Sequence, residues 1–532
     1  MNVEKTFARA EKQYKAKDYD AALKTVDKLK RYEPSFRKSY VLEAYIWQKL
    51  NNHVRELAAA EKALSMFDID KPENRNLAII IVLLMANSLD HLSMTKEAFE
   101  KLRFSLKYIT DKSLALDVLD AAVYIGSYME GFSADDLREL YAEYKKFLAD
   151  IKPYPRKFYD HEKIRVGFLS SDLRRHAVLN CIWPLFVNLD KNRFERCFYS
   201  NVKEPDQFTD YLRSGADIWH DIQNLSDEEA ARLIREDEID ILFDLNGHTN
   251  GNRLPVAMYC PASVQMSGIG SVNSTGLDCF EYYLADVHCA GNPEYFTEKF
   301  IVLPHSQGCY DLREAVEPVE YPPCVKNKFV TFGCFNQFKK ITDSMLRAWK
   351  KILDAVPDSR LLLKNKVLNT DDGKNFVGER LENLGFDISR VEMRGTSQDW
   401  LAQYADVDIA LDTFPYTAGV TTCEALYMGV PVVSLYGDRF GTRFGLSILN
   451  NVGLYELAVD SYEEYVKRAV ALANDWELLF ILRKNLRTMM EKSPLMDAKL
   501  YVSEMQDAFV KILDEQKIFW RKTNGDCSRT LQ

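Results

Sequence analysis

Two patterns of apolar and polar positions divide the chain. Up to about residue 150, apolar residues are mixed with Lys and Glu, Ala and Leu are common, and glycines are few, which is typical of helices. Segments 17–29, 52–64 and 94–106 align on Leu23, Leu57 and Phe99, which are 34 and 42 residues apart. Repeats of this length form stacked helix pairs, so the pattern predicts an α-helical solenoid over residues 1–150.

The first repeat shows features of a known repeat class. Residues 14–34, YKAKDYDAALKTVDKLKRYEP, resemble a tetratricopeptide unit, with Tyr19, small residues at Ala21 and Ala22, and Pro34 ending the pair. Two interpretations remain open for this region: a docking surface for a peptide or protein partner, or an inert packing module.

After residue 160 the pattern changes to short continuous apolar runs separated by helical segments such as 226–237 and 344–356. Runs of this kind are typical of parallel sheets covered on both faces. They predict two doubly wound α/β domains, at residues 160–315 and 325–500. The predicted strands are 163–170, 239–245, 329–335, 359–365, 407–413 and 431–437.

Prolines indicate the connections between these units. Pro153 and Pro155 predict a linker after the solenoid, and residues 313–328, with paired prolines, predict a hinge between the α/β domains. Residues 501–532 are expected to form a terminal helix and tail. In the tail we expect Phe519 and Trp520 to pack a final helix and Cys527 to be a free thiol.

Composition excludes several classes of protein. Of 532 residues, 47% are hydrophobic and 28% are charged, which is typical of a globular protein. The net charge of -10 disfavours a nucleic-acid partner. The longest apolar run, 78–86, is too short to span a membrane, and the amino terminus lacks the apolar segment of a secretory signal. Ten cysteines without a CxxC pair favour the cytoplasm and indicate no metal site.

Four loops follow predicted strands and carry polar residues, at 170–180, 246–253, 335–342 and 412–424. Ligands of doubly wound sheets bind at the carboxyl ends of strands, so a site in the cleft between the two domains is expected. His176 and His248 each follow a strand directly. Each is either a catalytic histidine or a structural one.

The last two loops favour an anionic ligand. Lys340 either neutralises a phosphate or is a solvated charge at a helix start. If residues 419–429 begin a helix, the hydroxyls and amides of Thr421 and Thr422 lie at its positive end, and Gly419 allows close approach of a diphosphate. Glu424 could then accept hydrogen bonds from a ribose. The alternative is a capping box in which Glu424 is the third helical residue.

These motifs resemble one enzyme family. The sequences IRVGFLSSDLRRHAV, DILFDLNGHTNGNRL, CFNQFKKIT and DTFPYTAGVTTCEALYMG resemble, in the same order, the catalytic region of the O-GlcNAc transferase and SPINDLY family of inverting protein glycosyltransferases. The resemblance covers roughly residues 160–500, and tetratricopeptide repeats precede that region in the family.

The resemblance implies a GT-B fold of two Rossmann-like halves, without a cofactor or metal, that transfers GlcNAc from UDP-GlcNAc to Ser or Thr of a protein docked by the repeats. Lys340 matches the lysine that contacts the diphosphate, Glu424 the acidic residue that binds ribose, and His176 the active-site histidine, while His248 lies in the family's Gly-His/Tyr-Thr loop. The implied catalytic residues are His176, His248 and Lys340. The implied donor-binding residues are Asn336, Gln337, Lys340, Asp412, Thr413, Gly419, Thr421, Thr422 and Glu424.

Some positions depart from the O-GlcNAc transferases. Gly419 and Val420 stand where those enzymes have a histidine, as in the SPINDLY-like form that uses GDP-fucose. An aromatic stretch of the family is replaced by residues 267–276, and Trp400 stands where some members have a nucleotide-contacting histidine. The alternatives are therefore a protein fucosyltransferase or glucosyltransferase of the same fold, or a repeat-based adaptor whose transferase region has decayed.

Overall fold

The amino-terminal region folds as paired helices. The computed structural model describes residues 1–313 and 316–524. The segments aligned by the repeat spacing coincide with the second, fourth and sixth helices, so the predicted solenoid is confirmed. Its helices are α1 (Val3–Lys15), α2 (Tyr19–Tyr32), α3 (Arg37–Lys49), α4 (His53–Leu64), α5 (Pro72–His91), α6 (Thr95–Ser105), α7 (Lys112–Gly126) and α8 (Ala134–Leu148).

A first parallel sheet follows the solenoid. Its described strands pair in the order β3-β2-β1-β4-β5-β6-β7, so the chain winds outward in both directions from β1. The strands are β1 (Ile164–Ser170), β2 (Phe194–Ser200), β3 (Ile218–Asp221), β4 (Ile241–Asp244), β5 (Val264–Ser267), β6 (Tyr282–Asp286) and β7 (Lys299–Leu303). The helices between them are α9 (Ala177–Asn188), α10 (Gln207–Gly215), α11 (Asp227–Glu236) and α12 (Leu254–Ala257).

A second parallel sheet has the described order β10-β9-β8-β11-β12-β13. Its strands are β8 (Thr331–Cys334), β9 (Arg360–Lys364), β10 (Val391–Arg394), β11 (Ile409–Leu411), β12 (Val432–Leu435) and β13 (Ala458–Val459). The helices are α13 (Pro323–Asn327), α14 (Asp343–Ala355), α15 (Asp371–Asn383), α16 (Val420–Tyr427), α17 (Phe444–Val452), α18 (Tyr462–Ala473) and α19 (Trp476–Glu491). The predicted doubly wound sheets are confirmed.

The six predicted strands correspond to β1, β4, β8, β9, β11 and β12, and each observed strand is shorter than its predicted run. All six lie near the middle of their sheets. The sequence pattern missed β2, β3, β5, β6, β7, β10 and β13. Four of the missed strands, β3, β7, β10 and β13, lie at sheet edges, where a strand is not buried on both faces and need not be a continuous apolar run. The other three, β2, β5 and β6, are interior strands that carry polar residues.

The last helix connects the two sheets. Helix α20 (Ala498–Asn524) begins within the region expected to end at residue 500, and it packs on the first sheet rather than the second. Its buried Phe509 lies against Phe194 and Phe243, at ring-centroid distances of 6.2 and 6.4 Å. Further along it, Phe519 is exposed and Trp520 contacts Phe158. Cys527 lies outside the described residues.

The expected hinge contains a short helix and an anchored turn. Helix α13 lies within residues 313–328, and the Cys324 amide donates to the buried carboxylate of Asp408 at 2.9 Å. The apolar run 78–86 lies inside α5, packed in the solenoid core. Within the described ranges, none of the helices combines the length and apolarity that a membrane crossing requires.

The packing of α20 gives a stability prediction. Replacing Phe509 by Ala removes a buried ring from the first-sheet core, so we expect a loss of about 3–5 kcal/mol in the free energy of unfolding. Chemical denaturation checks this, with Phe519→Ala on the exposed part of the same helix as the matched control, expected to change stability by less than about 0.5 kcal/mol. Equal effects of the two substitutions would contradict the observed packing.

Candidate active site

A large cleft lies between the two sheets and the solenoid. Its volume is about 1380 Å³, and residues from all three parts of the chain line it. The carboxyl ends of β1 and β4 contribute from the first sheet, and those of β8 and β11 from the second. The expected position of the site between the two α/β units is thus where the structure has its main cavity.

Lys340 lies at the floor of this cleft. It ends a 3₁₀ turn, Phe338–Lys340, that is separated from β8 by three residues. Its Nζ donates to the Thr417 carbonyl at 3.4 Å and lies 4.1 Å from the centre of the Tyr416 ring. Among the described residues no carboxylate comes within ion-pair distance. Lys340 thus offers a half-buried positive charge to the cavity.

Burial controls the charge of Lys340. Loss of hydration lowers the pKa of Lys340 to about 8; Asp412 and Cys334 act to raise it and Lys339 to lower it further. An ammonium whose pKa is reduced by burial is stabilised when an anion binds beside it. The residue is therefore suited to contact a phosphate rather than to hold the fold together.

The start of α16 faces the same space. Gly419 is its N-cap, and no side chain among the described residues caps the helix. A side chain at Gly419 would extend into open space, and Thr421 lines the cleft. The first amides of α16 can therefore donate to an anion, and the helix dipole favours that anion.

The capping-box alternative is wrong. Glu424 is the fifth residue of α16 rather than the third, and its carboxylate accepts a hydrogen bond from the Trp400 indole at 3.2 Å. Both side chains line the cleft. Trp400 and Glu424 together form an aromatic surface beside a carboxylate in the middle of the helix.

Two threonines and an aspartate expected to bind the donor are hydrogen-bonded to the loop that carries them. Buried Asp412 accepts from the Thr413 amide at 2.7 Å, the Ala418 amide at 2.9 Å and the Ser434 hydroxyl at 2.6 Å. The Thr413 hydroxyl donates to the Tyr416 carbonyl, and the Thr422 hydroxyl donates to the Ala418 carbonyl. Asp412, Thr413 and Thr422 are not among the residues that line the cleft; these contacts shape the loop, and the assignment of the three residues to donor binding stays a prediction.

Burial also changes the acidity of Asp412. Loss of hydration raises its pKa to about 6, although hydrogen bonds from Ser434, Ala418 and Thr413 and the charge of Lys340 oppose the change. The carboxylate is thus mostly ionised at neutral pH. Its negative charge lies near Lys340 while its oxygens remain bonded to the loop.

Asn336 and Gln337 line the cavity just before Lys340. Asn336 is buried, with its Nδ2 at 3.8 Å from Cys334 Sγ, and Gln337 is exposed. Both side chains have capacity to bond a ligand. Their assignment to donor binding stays a prediction.

His176 lies on the opposite wall. It is the N-cap of α9, its Nδ1 accepts from the Val178 amide at 3.4 Å, and Asp172 Oδ2 lies 3.7 Å away. Burial lowers its pKa, although Asp172 acts to raise it. With 39% of its side chain exposed, a neutral imidazole faces the cleft and can accept a proton.

His248 differs from His176 in that both its ring nitrogens have partners. One lies 2.7 Å from Asp120 Oδ1, and the other lies 2.9 Å from the Thr275 carbonyl. Tyr141 and Tyr144 enclose the ring. Both ring nitrogens thus face oxygen acceptors of the protein, and the catalytic assignment of His248 stays a prediction. His248 fixes the loop that follows β4.

The loop at 267–276 is held by hydrogen bonds to residues outside it. Ser267 donates to buried Asp244 at 2.7 Å, and Glu298 accepts from the Ser274 hydroxyl at 2.6 Å and the Thr275 amide at 2.8 Å. Ile269 lines the cleft. The altered loop thus keeps its backbone in place.

The sequence pattern missed the share of the site that the solenoid contributes. Asp120, Tyr124 and Tyr128 of α7 and the turn after it, with Asp90 and His91 of α5, line the cleft. A signal was present, because polar residues in the otherwise apolar helix α7 recur at a spacing of four residues and so lie on one face. Within the described residues no group of three or more His, Cys, Asp or Glu side chains is arranged to hold a metal ion.

Comparison with known proteins assigns the chain to a family. The sequence model of glycosyl transferase family 41 matches residues 148–322 and 320–505. The chain belongs to glycosyl transferase family 41. The matched region contains both sheets and every described loop of the second sheet that lines the cleft.

Curated relatives of this family 41 chain agree. It is 34% identical over 399 residues to a probable UDP-N-acetylglucosamine--peptide N-acetylglucosaminyltransferase SPINDLY of Hordeum vulgare, covering 72% of this chain and 42% of that protein. The Solanum lycopersicum protein of the same name is 34% identical, covering 75% and 44%. The chain spans less than half the length of these relatives.

One solved structure resembles the whole described fold. A single-residue mutant of Thermobaculum terrenum O-GlcNAc transferase is 27% identical, with a TM-score of 0.86, covering 97% of this chain and 98% of that one. The expected GT-B fold with an amino-terminal helical solenoid is therefore confirmed, as is the resemblance to the O-GlcNAc transferase and SPINDLY family.

The buried charge of Lys340 gives a prediction for the ligand-free protein. Lys340→Met removes the cost of burying an ammonium, so we expect the free energy of unfolding to rise by about 1–3 kcal/mol below pH 8. Because the folded pKa lies below the unfolded one, the wild-type cost is present below about pH 8 and disappears as pH rises through the unfolded value near 10.4. Thermal melting at pH 7 and pH 10 checks this.

A matched control is Lys350→Met, which removes a lysine paired with Asp354 on the surface of α14. It should change the melting temperature little at either pH. A Lys340→Met protein less stable than wild type at pH 7 would show that Lys340 holds the fold together.

Proposed function

We propose that this chain is an inverting glycosyltransferase that moves a sugar from a nucleoside diphosphate sugar to Ser or Thr hydroxyls of a protein. The observation that carries the proposal is the pairing of an unneutralised ammonium, Lys340, with an uncapped helix start at Gly419 in one cleft of the described chain. Both groups stabilise the negative charge of a diphosphate. Family membership supports the same reaction class.

The proposed reaction is a single displacement. The acceptor oxygen attacks the anomeric carbon from the face opposite the diphosphate, and a new C–O bond forms there. The bond to the diphosphate breaks, its electron pair goes to the β-phosphate oxygen, and the hydroxyl proton leaves to a base. Lys340 and the amides at the start of α16 stabilise the leaving group, so the reaction needs no metal ion or other cofactor.

We assign the acceptor side to the first sheet and the solenoid. His176 has an accessible imidazole in the cleft and is the residue we propose to orient the acceptor hydroxyl or take its proton. A second cavity of about 460 Å³ lies along α3, α5 and α7 and shares Leu83, Ser113 and Asp117 with the main one. An extended peptide lying along the repeats would reach the cleft through this groove.

UDP-GlcNAc is the donor we propose, because the names of the curated relatives specify a UDP-N-acetylglucosamine--peptide transferase. GDP-fucose is the second candidate. The observation that favours GDP-fucose is the open space at Gly419. Gly419 and Val420 stand where the O-GlcNAc transferases have a histidine. The cysteines in the described residues are unpaired, which fits a reducing compartment such as the cytoplasm.

A donor titration tests the proposed function. The melting temperature of the purified chain is measured with UDP, GDP, UDP-GlcNAc and GDP-fucose, because a ligand that binds only the folded state raises it. We expect a rise with UDP and UDP-GlcNAc. A rise with the GDP compounds alone would make the chain a fucosyltransferase, and EDTA should leave the rise unchanged.

Lys340→Met is the internal control in the same titration, because it should fold well and give no rise with nucleotide. No rise with any nucleotide in the wild-type protein would contradict the proposed function and favour an adaptor with a decayed transferase region.

Transfer kinetics test the role of Lys340. Lys340→Ala should lower turnover about 10²–10³-fold, because it removes a charge that stabilises the leaving group. An acceptor peptide is first identified by incorporation of labelled sugar. Its affinity for the Lys340→Ala variant should equal its affinity for the wild-type protein. An equal loss of turnover and of acceptor affinity would contradict this role.

A further inference from the structure

The solenoid holds the loop that carries Lys340 from both sides. At the end of α5, the Ser93 hydroxyl donates to the Ile341 carbonyl at 2.6 Å. After α7, Glu130 accepts from the Thr342 hydroxyl at 2.7 Å. These contacts fix the backbone directly after Lys340. They join parts of the chain that are more than 200 residues apart in sequence.

A buried ion pair fixes the residue directly before it. Lys339 Nζ lies 3.0 Å from Asp90 Oδ2 of α5, and each side chain is only 6% exposed. The same Nζ donates to the Tyr124 hydroxyl at 3.1 Å and lies over the rings of Tyr124 and Tyr128, 4.5 and 4.9 Å from their centres. The described partners of the Lys339 ammonium therefore all belong to the solenoid.

A buried ion pair adds little to stability by itself. The hydration that both charges lose offsets most of their attraction, and apolar residues of similar volume often replace such a pair without loss. The fold could therefore hold this loop without charges. What the pair provides is a fixed direction, because the Lys339 ammonium must meet Asp90 and Tyr124 together.

An aromatic stack continues from the solenoid to Lys340 itself. Tyr128, just after α7, stacks on Tyr416 with ring centres 4.7 Å apart and planes at 11°. The Lys340 ammonium lies over the Tyr416 ring at 4.1 Å. The solenoid thus supports both the backbone beside Lys340 and the ring beneath its charge.

We propose that Asp90 and Lys339 are a positioning pair through which the helical repeats set the place and the charge of Lys340, so that the solenoid forms part of the donor site. This inference rests on the proposed function, in which Lys340 contacts the donor diphosphate. Neither Asp90 nor Lys339 touches substrate in this role. They act through the loop at 338–342.

The charges that face Lys340 define the expected pH dependence. They are Asp412 on the loop after β11, Lys339 on its own loop and the Cys334 thiol at the end of β8. Lys339 is a like charge next to Lys340 and lowers its pKa, while Asp412 raises it. A diphosphate binds the protonated form, so affinity falls as pH rises through this pKa.

The test is the affinity for UDP between pH 6.5 and 9.5, measured by calorimetry, or for GDP if the donor titration selects GDP. In the double variant Asp90→Asn with Lys339→Met, both charges are removed together. We expect binding about 5–10-fold weaker at pH 7, because the loop is less well held. The midpoint of the alkaline fall in affinity should move to higher pH, because the like charge is gone.

Two controls separate positioning from general damage. Arg55 of the solenoid forms another ion pair with the second α/β unit, with Asp372 of α15 at 2.7 Å. Arg55→Ala removes this pair and should change neither the affinity for the nucleotide nor the midpoint of its alkaline fall. Asp412→Asn should move the midpoint in the opposite direction, to lower pH, because it removes the negative charge near Lys340. If the double variant does not fold, Lys339→Met alone carries the test, since burial raises the pKa of Asp90 and favours its neutral form.

The outcomes are distinct. Weaker binding at pH 7 together with a raised midpoint supports the proposal. A folded double variant with wild-type affinity and midpoint overturns it, and so does weaker binding with an unmoved midpoint, because that is the result of a structural role alone. If the wild-type protein binds neither UDP nor GDP, the proposed function fails and this inference fails with it.

Discussion

One positive charge at the centre of the molecule is kept without a carboxylate partner among the described residues. Removing an ammonium from water is costly, and proteins normally offset that cost with an ion pair. Lys340 has instead a backbone carbonyl at 3.4 Å and the face of a tyrosine ring. The nearby carboxylate of Asp412 is bonded to two amides and a hydroxyl of the second sheet and its loop. The fold therefore accepts a loss of stability that an anion in the cleft removes.

The parallel sheet brings the parts of this site together. Strands β8 and β11 are neighbours, so the loops after them begin at the same edge. A single backbone bridge between Ile341 and Phe414 joins the two loops one residue after Lys340 and two after Asp412. The start of α16 and the ammonium then face one space, although 79 residues separate Lys340 from Gly419 in the chain. This is why strand order matters more to the site than local sequence does.

The sequence predicted strands that are continuous apolar runs better than strands that carry polar residues. Strand β2, FERCFYS, was missed because Glu195 and Arg196 interrupt the apolar run; Arg196 is nevertheless buried, because its guanidinium donates to the Phe186 and Gly215 carbonyls. Strands such as β4, whose residues are all apolar except the last, gave a clear signal.

The residues of the site were also predicted unevenly. Lys340 and Gly419 could be predicted from their place after strands, and both line the cleft. Thr413 and Thr422 could not be separated from Thr421 in the sequence, because a hydroxyl in a loop can bond either the loop's own carbonyls or a ligand. The polar face of α7 could have indicated that the solenoid contributes to the site, but the partners of its residues could not be predicted, because contacts such as Asp90 with Lys339 join residues 249 positions apart.

Helix α7 supports both walls of the cleft at once. Asp120 accepts from Asn252 at 2.8 Å and holds His248, which fixes the first-sheet loop after β4. One turn later, Tyr124 accepts from Lys339 and so fixes the second-sheet loop after β8. Two residues on one face of a rigid helix cannot move independently. A displacement of α7 would therefore shift the first-sheet wall and the second-sheet wall of the cleft together, so that a ligand bound along α7 would be coupled to one bound beside Lys340 without any contact between the two.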